Sequence, residues 1–283
     1  MTDKLTRIHL AFPPSCEDMV TMVLALHASW GWEDEGMRDG LRHLVVHSTL
    51  PEHAARLHAA LSEVCPSVDV STSSVDNADW NAAWRQFFSP LSIGRFTVVP
   101  SWLAAEHAGP WTLVIEPKMA FGTGHHATTA LCLEALDALA QEGAIGPGQR
   151  FLDLGTGSGI LALAASRLGL TGLALDIDSV AVDNAAENLA VNKAQGVEVR
   201  TGTITDAPTA HFHLVLANIL AGPLMDMARD ITARLLPGGI LILSGILAGE
   251  QALAVETAYT DLGLPSPQRH TQGEWASLVF RTA

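Results

Sequence analysis

The sequence predicts an α/β protein: a seven-stranded, doubly wound and mostly parallel sheet, preceded by a small α+β unit. Three observations carry this expectation. From Arg150 onward, short apolar strands alternate with amphipathic helical stretches, as they do where helices cross over between parallel strands. The apolar run Phe151-Leu152-Asp153-Leu154 leads straight into the glycine-rich turn Gly155-Thr156-Gly157-Ser158-Gly159. The last two strand-like stretches, near Gln268–Thr271 and Trp275–Arg281, are separated only by Gln272-Gly273-Glu274. That gap is too short for a helical crossover, so the two strands form an antiparallel hairpin at one sheet edge.

The elements follow in order. Residues 1–70 offer a strand (Leu5–Ala11), a helix (Cys16–His27), a strand (Leu41–Ser48), a helix (Glu52–Val64) and a short strand (Val68–Val70). This β-α-β-α-β pattern suggests a small sandwich of the ferredoxin-like kind. Ser71–Asp79 is polar and reads as a linker. Asp79 caps a following helix that carries Trp80, Trp84, Phe87 and Phe88 on one face, and Pro90 ends it. Strands Phe96–Val99 and Leu113–Ile115 precede a helix opened by Thr128 or Thr129 and reaching about Gln141. The regular part then places strands at Arg150–Leu154, Gly172–Asp176, Val197–Arg200, Phe212–Ala217 and Gly239–Ser244. Helices Gly159–Leu168, Ser179–Asn192, Leu224–Leu235 and Glu250–Leu262 are interspersed among them. The expected domains are residues 1–70, a linker over 71–95 containing the aromatic helix, and residues 96–283.

Composition narrows the function classes. The 283 residues are 48% hydrophobic and 16% charged, enough apolar sequence to build a core without disulfides or a structural metal. Mean hydropathy is +0.24, yet the longest apolar stretches, such as Ile160–Ala165 and Ile240–Leu243, fall far short of the roughly 20 residues a bilayer demands. The N-terminus runs into Pro13-Pro14 without the apolar region of a secretory signal. Cys16, Cys65 and Cys132 form no C-x-x-C pair and read as small apolar residues of a reducing compartment. A cytoplasmic protein without membrane association is expected. Residues 1–80 hold 5 basic and 12 acidic side chains and residues 81–283 hold 11 and 18, so both parts carry −7 of the net −14. That balance repels nucleic-acid phosphates and suits a basic partner.

The glycine turn carries the chemistry. Glycines between a strand and a helix let the backbone approach a ligand where a Cβ would clash. Asp176 ends the next strand, 21 residues after Gly155, where a carboxylate accepts hydrogen bonds from two ribose hydroxyls. Gly157-x-Gly159-x-x-Ala162 also fits a dinucleotide fingerprint, which keeps NAD in view. Asp153 favours another cofactor, because its carboxylate would repel a pyrophosphate and suit the ammonium group of S-adenosylmethionine. The terminal hairpin looks like the seventh, antiparallel strand of methyltransferase sheets. Asn218 sits just past a buried strand, at the edge where open sheets bind ligands, and its side-chain carbonyl could orient an amine. As a plain alternative it is a turn residue before Gly222-Pro223. The loop Phe121-Gly-Thr-Gly-His-His-Ala-Thr-Thr129 offers free N–H groups at a helix start, with Thr128 as an N-cap in the simpler reading. His125-His126 and His211/His213 lack a third ligand at sensible spacing, so no metal is expected.

Taken together these stretches resemble the ribosomal protein L11 methyltransferase family, PrmA. The resemblance spans nearly the whole chain, through DWNAAWRQFFSPLSIGRFTVVPSW, AFGTGHHATTALCLEAL, DLGTGSGILALAA, ALDIDSVAVDNAAENLAVN, and LVLANILAGPL followed by LSGIL. It implies an N-terminal substrate-recognition domain joined by a linker helix to a Rossmann-like methyltransferase domain. The implied activity is transfer of methyl groups from S-adenosylmethionine to lysine and N-terminal amines of a basic large-subunit ribosomal protein; a monomer is expected. Thr129, Gly155, Asp176 and Asn218 would be cofactor positions, with Phe121, Gly157 and Gly159 lining the pocket. Asn218 would also align the amine. One departure stands out. The family loop usually reads Gly-Thr-His-Pro-Thr-Thr, whereas here it is Gly124-His125-His126-Ala127-Thr128-Thr129. The alternatives are a lysine methyltransferase of another protein, an NAD-dependent oxidoreductase, and a non-catalytic binding module that keeps the pocket without turnover.

Overall fold

The computed structural model describes residues 4–28, 32–48, 52–76, 89–116 and 126–282. The chain forms two compact units, Met1–Phe88 and Ser89–Ala283.

In the first unit, β1 (Lys4–Phe12), α1 (Glu17–His27), β2 (Glu33–Arg38), β3 (Leu41–Ser48), α2 (Glu52–Val64) and β4 (Asp69–Asp76) follow one another. The sheet order is β2-β3-β1-β4, with every neighbouring pair antiparallel. This is the interleaved double βαβ of a ferredoxin-like unit. Ile8, Leu10 and Phe12 of β1 and Leu44 and Val46 of β3 pack against Val20 and Leu24 of α1 and Leu57 and Leu61 of α2.

Two expectations are corrected here. β2 reads Glu-Asp-Glu-Gly-Met-Arg and has no buried residue, so the apolar alternation that reveals a half-buried strand is missing. Asp39-Gly40, with φ of 52° and 80°, joins it to β3 in the two-residue turn that such a dipeptide favours. Ser71–Asp76, read as linker, belongs to β4 and pairs along β1 from Lys4↔Asp76 to His9↔Ser71. It is a polar edge strand. Asp79 and the aromatic helix at Trp80, Trp84, Phe87 and Phe88 lie outside the described residues.

The second unit begins with a three-stranded sheet in the order β5 (Leu91–Ile93), β6 (Phe96–Val99), β7 (Thr112–Val114). β5, inside the range expected as linker, was not anticipated. After α3 (Ala127–Gln141) come β8 (Arg150–Leu154), α4 (Ile160–Arg167), β9 (Thr171–Asp176), α5 (Ser179–Val191), β10 (Val197–Thr201) and β11 (Phe212–Asn218). Then follow α6 (Ala221–Asp226), α7 (Ala228–Thr232), β12 (Leu235–Leu247), α8 (Glu250–Thr260), β13 (Gln268–Gln272) and β14 (Trp275–Arg281). The seven strands lie in the order β10-β9-β8-β11-β12-β14-β13. The first five are parallel, and the expected hairpin supplies the antiparallel edge.

The single helix expected over Leu224–Leu235 is two short ones. The first starts at Ala221, because Pro223 is tolerated in a first helical turn. The chain breaks at Met227, and Leu235 already pairs with Phe212 as the start of β12. Strand order reverses between β8 and β11, so the crevice past their carboxyl ends is where an open α/β sheet binds its ligand.

Candidate functional site

That crevice holds a cavity of about 350 Å³, within the ordinary range for small-molecule sites. Gly155 and Gly157 line it from the turn after β8, Asp176 from the end of β9, Asn218 from the end of β11, and Thr129 from α3. Four chain segments far apart in sequence meet there because the parallel strands end on one edge.

The turn needs its glycines. Gly155 has φ +73°, and a Cβ on it would run into the side chain of Ile219. Gly159 has φ +80°, and its Cβ would come within 3.0 Å of the Ala185 Cβ and 3.1 Å of the Ala185 Cα. Gly159 therefore does not line the cavity; it seats α4 against α5 as the residue capping α4. Asp176 shapes the turn as well, since its Oδ2 accepts the Gly157 N–H at 2.9 Å and its Oδ1 the Asp178 N–H at 3.1 Å. Each carboxylate oxygen keeps a second acceptor site for a ligand hydroxyl.

Asp153 lies behind the wall, not in it. The residue is 1% exposed, and its Oδ2 accepts from Thr156 Oγ1 at 2.6 Å and from the Ala162 N–H at 3.2 Å. Direct contact with a ligand ammonium, expected from the sequence, is replaced by a brace beneath the turn. Its Oδ1 is buried without a partner, and burial pushes the carboxyl up to about 6. Taking a carboxylate out of water penalises its charged form.

Asn218 is the most exposed to consequence. Its Nδ2 reaches Thr129 Oγ1 at 3.4 Å, while its Oδ1 is buried and unpartnered. The same residue lines a second cavity of about 290 Å³ with His126, Ile219, Leu220, Gly245 and Trp275. Gly245, at φ +83°, leaves room for the Ile219 backbone, into which a Cβ would collide. The rings of His126 and Trp275 meet edge to face with centroids 4.6 Å apart. His126, not Thr128, is the N-cap of α3: its Nδ1 accepts the Thr128 N–H at 3.4 Å and lies 2.8 Å from Thr128 Oγ1.

Sequence reading did not anticipate Trp275, Gly245, Ile219 and Leu220 at the site. Trp275 was visible only as the first residue of the last strand. Its pairing with Leu247 in the sheet is what carries it to this edge. Gly245 stood within the LSGIL segment and gave a usable signal, a glycine at a strand end. Phe121 and His125 lie outside the described residues. Among the described residues no group of three or more His, Cys, Asp or Glu is placed to hold a metal, and no helix is long and apolar enough to cross a membrane.

Comparison with known proteins fits this architecture. The family model described as ribosomal protein L11 methyltransferase (PrmA) matches residues 33–283. A ribosomal protein L11 methyltransferase of Chloroflexus aurantiacus is 41% identical over 247 residues, covering 77% of this chain and 74% of the relative. One from Geobacter sulfurreducens is 46% identical over 210 residues, covering 73% and 67%. The crystal structure of ribosomal protein L11 methylase from Lactobacillus delbrueckii subsp. bulgaricus superposes with a TM-score of 0.61 at 29% identity, covering 69% of this chain and all of that one. With its sheet order, its glycine turn and a match reaching from β2 to the last residue, the chain belongs to the ribosomal protein L11 methyltransferase (PrmA) family.

Proposed function

We propose that this protein is an S-adenosylmethionine-dependent N-methyltransferase that modifies lysine and N-terminal amines of ribosomal protein L11. The observation that carries the mechanism is Asn218, which lines both neighbouring cavities and keeps a buried carbonyl oxygen without a partner. A buried acceptor left unpaired costs about 1–3 kcal/mol, a deficit that a ligand N–H repays.

The residues of the larger cavity fit the donor. Asp176 has free acceptor capacity for two ribose hydroxyls, Gly155 and Gly157 allow close backbone approach, and Thr129 and Asn218 close the far side. When bound there, S-adenosylmethionine supplies an electrophilic methyl group on a sulfonium. Asp153 acts from behind by holding Thr156 and Ala162, and so fixes the turn.

The smaller cavity is assigned to the acceptor amine. Ile219, Leu220 and Trp275 give it apolar walls, which strip water from an entering alkylamine and favour its neutral form. A lysine amine, with a pKa of about 10.4 in water, needs that help more than an α-amine near 8. Asn218 Oδ1 accepts an N–H from the amine and turns the nitrogen lone pair toward the donor cavity. Rate enhancement then comes mainly from orientation. The proton released on transfer passes to water.

The first unit, through the end of β4, is read as the substrate-recognition part and the segment after it as the connection to the catalytic unit. The net charge of −14 supports a basic protein as partner and no nucleic-acid contact. A ribosomal substrate supports the reading of the protein as cytoplasmic, and we propose that it acts as a monomer. Intact-mass spectrometry of unmethylated L11 incubated with enzyme and S-adenosylmethionine tests the activity. Gains in steps of about 14 Da, one CH₂ each, are expected. No gain on L11 but gains on another basic protein would redirect the assignment to that substrate.

A further inference from the structure

α5 and the residue that follows it carry asparagines at 184, 188 and 192, one turn apart and therefore on one side of the helix. One of them, Asn192, acts as a surrogate for a neighbouring strand. Asn192 Oδ1 accepts the Val114 N–H at 2.9 Å while its Nδ2 donates to the Val114 carbonyl at 2.6 Å. One side-chain amide thus pairs with the edge of β7 as a peptide group would.

Asn188 does something different. It is 1% exposed; its Oδ1 accepts the Glu116 N–H at 3.0 Å, and its Nδ2 donates to the Ser158 carbonyl at 2.8 Å. Ser158 belongs to the glycine turn. The Ala162 N–H, which a continuous helix would direct at that carbonyl, goes instead to Asp153. Ala185, one turn earlier on α5, is the residue that the bare Gly159 meets. α5 therefore holds the turn from behind at two points, one by close packing and one by a buried hydrogen bond.

We infer that Asn188 is a positioning residue for the donor cavity: its amide ties the carbonyl of Ser158 in the glycine turn to the backbone of Glu116, and so sets where Gly155 and Gly157 stand. The inference rests on the reading of that cavity as the S-adenosylmethionine site. Asn188 touches no ligand in this account and acts through the turn alone.

The comparison of Asn188→Asp with Asn192→Ala tests it. Asn188→Asp keeps the acceptor for Glu116 and sets an oxygen against the Ser158 carbonyl. Asn192→Ala removes bonds to β7, to Arg167 and to the Asn188 carbonyl, none of which reaches the turn. Affinity is read by calorimetric titration with S-adenosylhomocysteine, the demethylated product, and turnover by KM and kcat for methylation of L11. Asn188→Asp is expected to weaken S-adenosylhomocysteine about tenfold and to raise KM for S-adenosylmethionine alike, with kcat reduced less than about threefold. Asn192→Ala is expected to lower the unfolding temperature yet change affinity less than about twofold. Asn188→Ser, which also lacks the amide donor, is expected to follow Asn188→Asp. Equal affinity losses in the 188 and 192 variants, or wild-type affinity in Asn188→Asp, would overturn the role. So would failure of both 188 variants to fold, because a positioning role requires the fold to survive without that bond. Wild-type protein that binds no S-adenosylhomocysteine would instead overturn the reading of the cavity.

Discussion

Asp153 shows what a single side chain reveals about the site. A carboxyl whose pKa rises to about 6 on folding holds a proton that the unfolded chain releases nearer pH 4. The folded state then binds more protons between about pH 4 and 6, so stability of the ligand-free protein falls as pH rises through that window and levels off above it. The shift corresponds to about 3 kcal/mol. Asp153→Asn removes this dependence: the stability of wild type minus that of the variant, from urea unfolding, is expected to drop by about that amount between pH 4 and pH 7. A pH-independent difference would mean the carboxyl is not perturbed. The sequence exposed Asp153 as unusual for its place before the glycines, but not its direction. A strand residue two positions before the turn points into the sheet's packing, and only the fold shows that Thr156 and Ala162 intercept it. Trp275 is the opposite case, unremarkable in the sequence and central in the fold. Trp275→Ala is expected to lower kcat/KM for L11 about tenfold while leaving S-adenosylhomocysteine affinity within about twofold, since the ring lines the smaller cavity, proposed for the amine, and not the larger one.

At the scale of elements, the glycine turn was legible because its requirements are local. A tight turn between a buried strand and a helix calls for positive φ, and Gly155, Gly157 and Gly159 all have it. Gly155→Ala forces a Cβ into that conformation and against Ile219. An affinity loss of at least about tenfold for S-adenosylhomocysteine is expected, together with a lower unfolding temperature. Unchanged affinity would show that the turn can shift without consequence. In the first unit, the stretches that escaped sequence reading share a physical cause. β2 and the Ser71–Asp76 part of β4 are polar edge segments held by backbone pairing to β3 and β1, so they lack the alternation that marks a strand, whereas Val68 and Val70, which pack on the core, were legible as a short strand. The break at Met227 escaped because a continuous apolar period ran across it. His126 took the cap expected of Thr128 because an imidazole nitrogen can accept the same N–H as a hydroxyl.

For the whole molecule, alternation of strands and helices after Arg150 sufficed to expect a doubly wound sheet, and the short gap at Gln272-Gly273-Glu274 its antiparallel edge. The order of the strands was not readable from the residues, and that order is what builds the site. Placing β8 beside β11 brings Gly155 next to Asn218, and placing β14 beside β12 brings Trp275 to the same edge. Two cavities then share one asparagine. The most direct test of that arrangement is single-turnover methylation of L11 by Asn218→Ala, with S-adenosylhomocysteine affinity measured in parallel. The account predicts a rate lower by about a hundredfold with affinity changed less than about fivefold, because the lost carbonyl orients the amine more than it holds the donor. Methylation at the wild-type rate with unchanged affinity would contradict it.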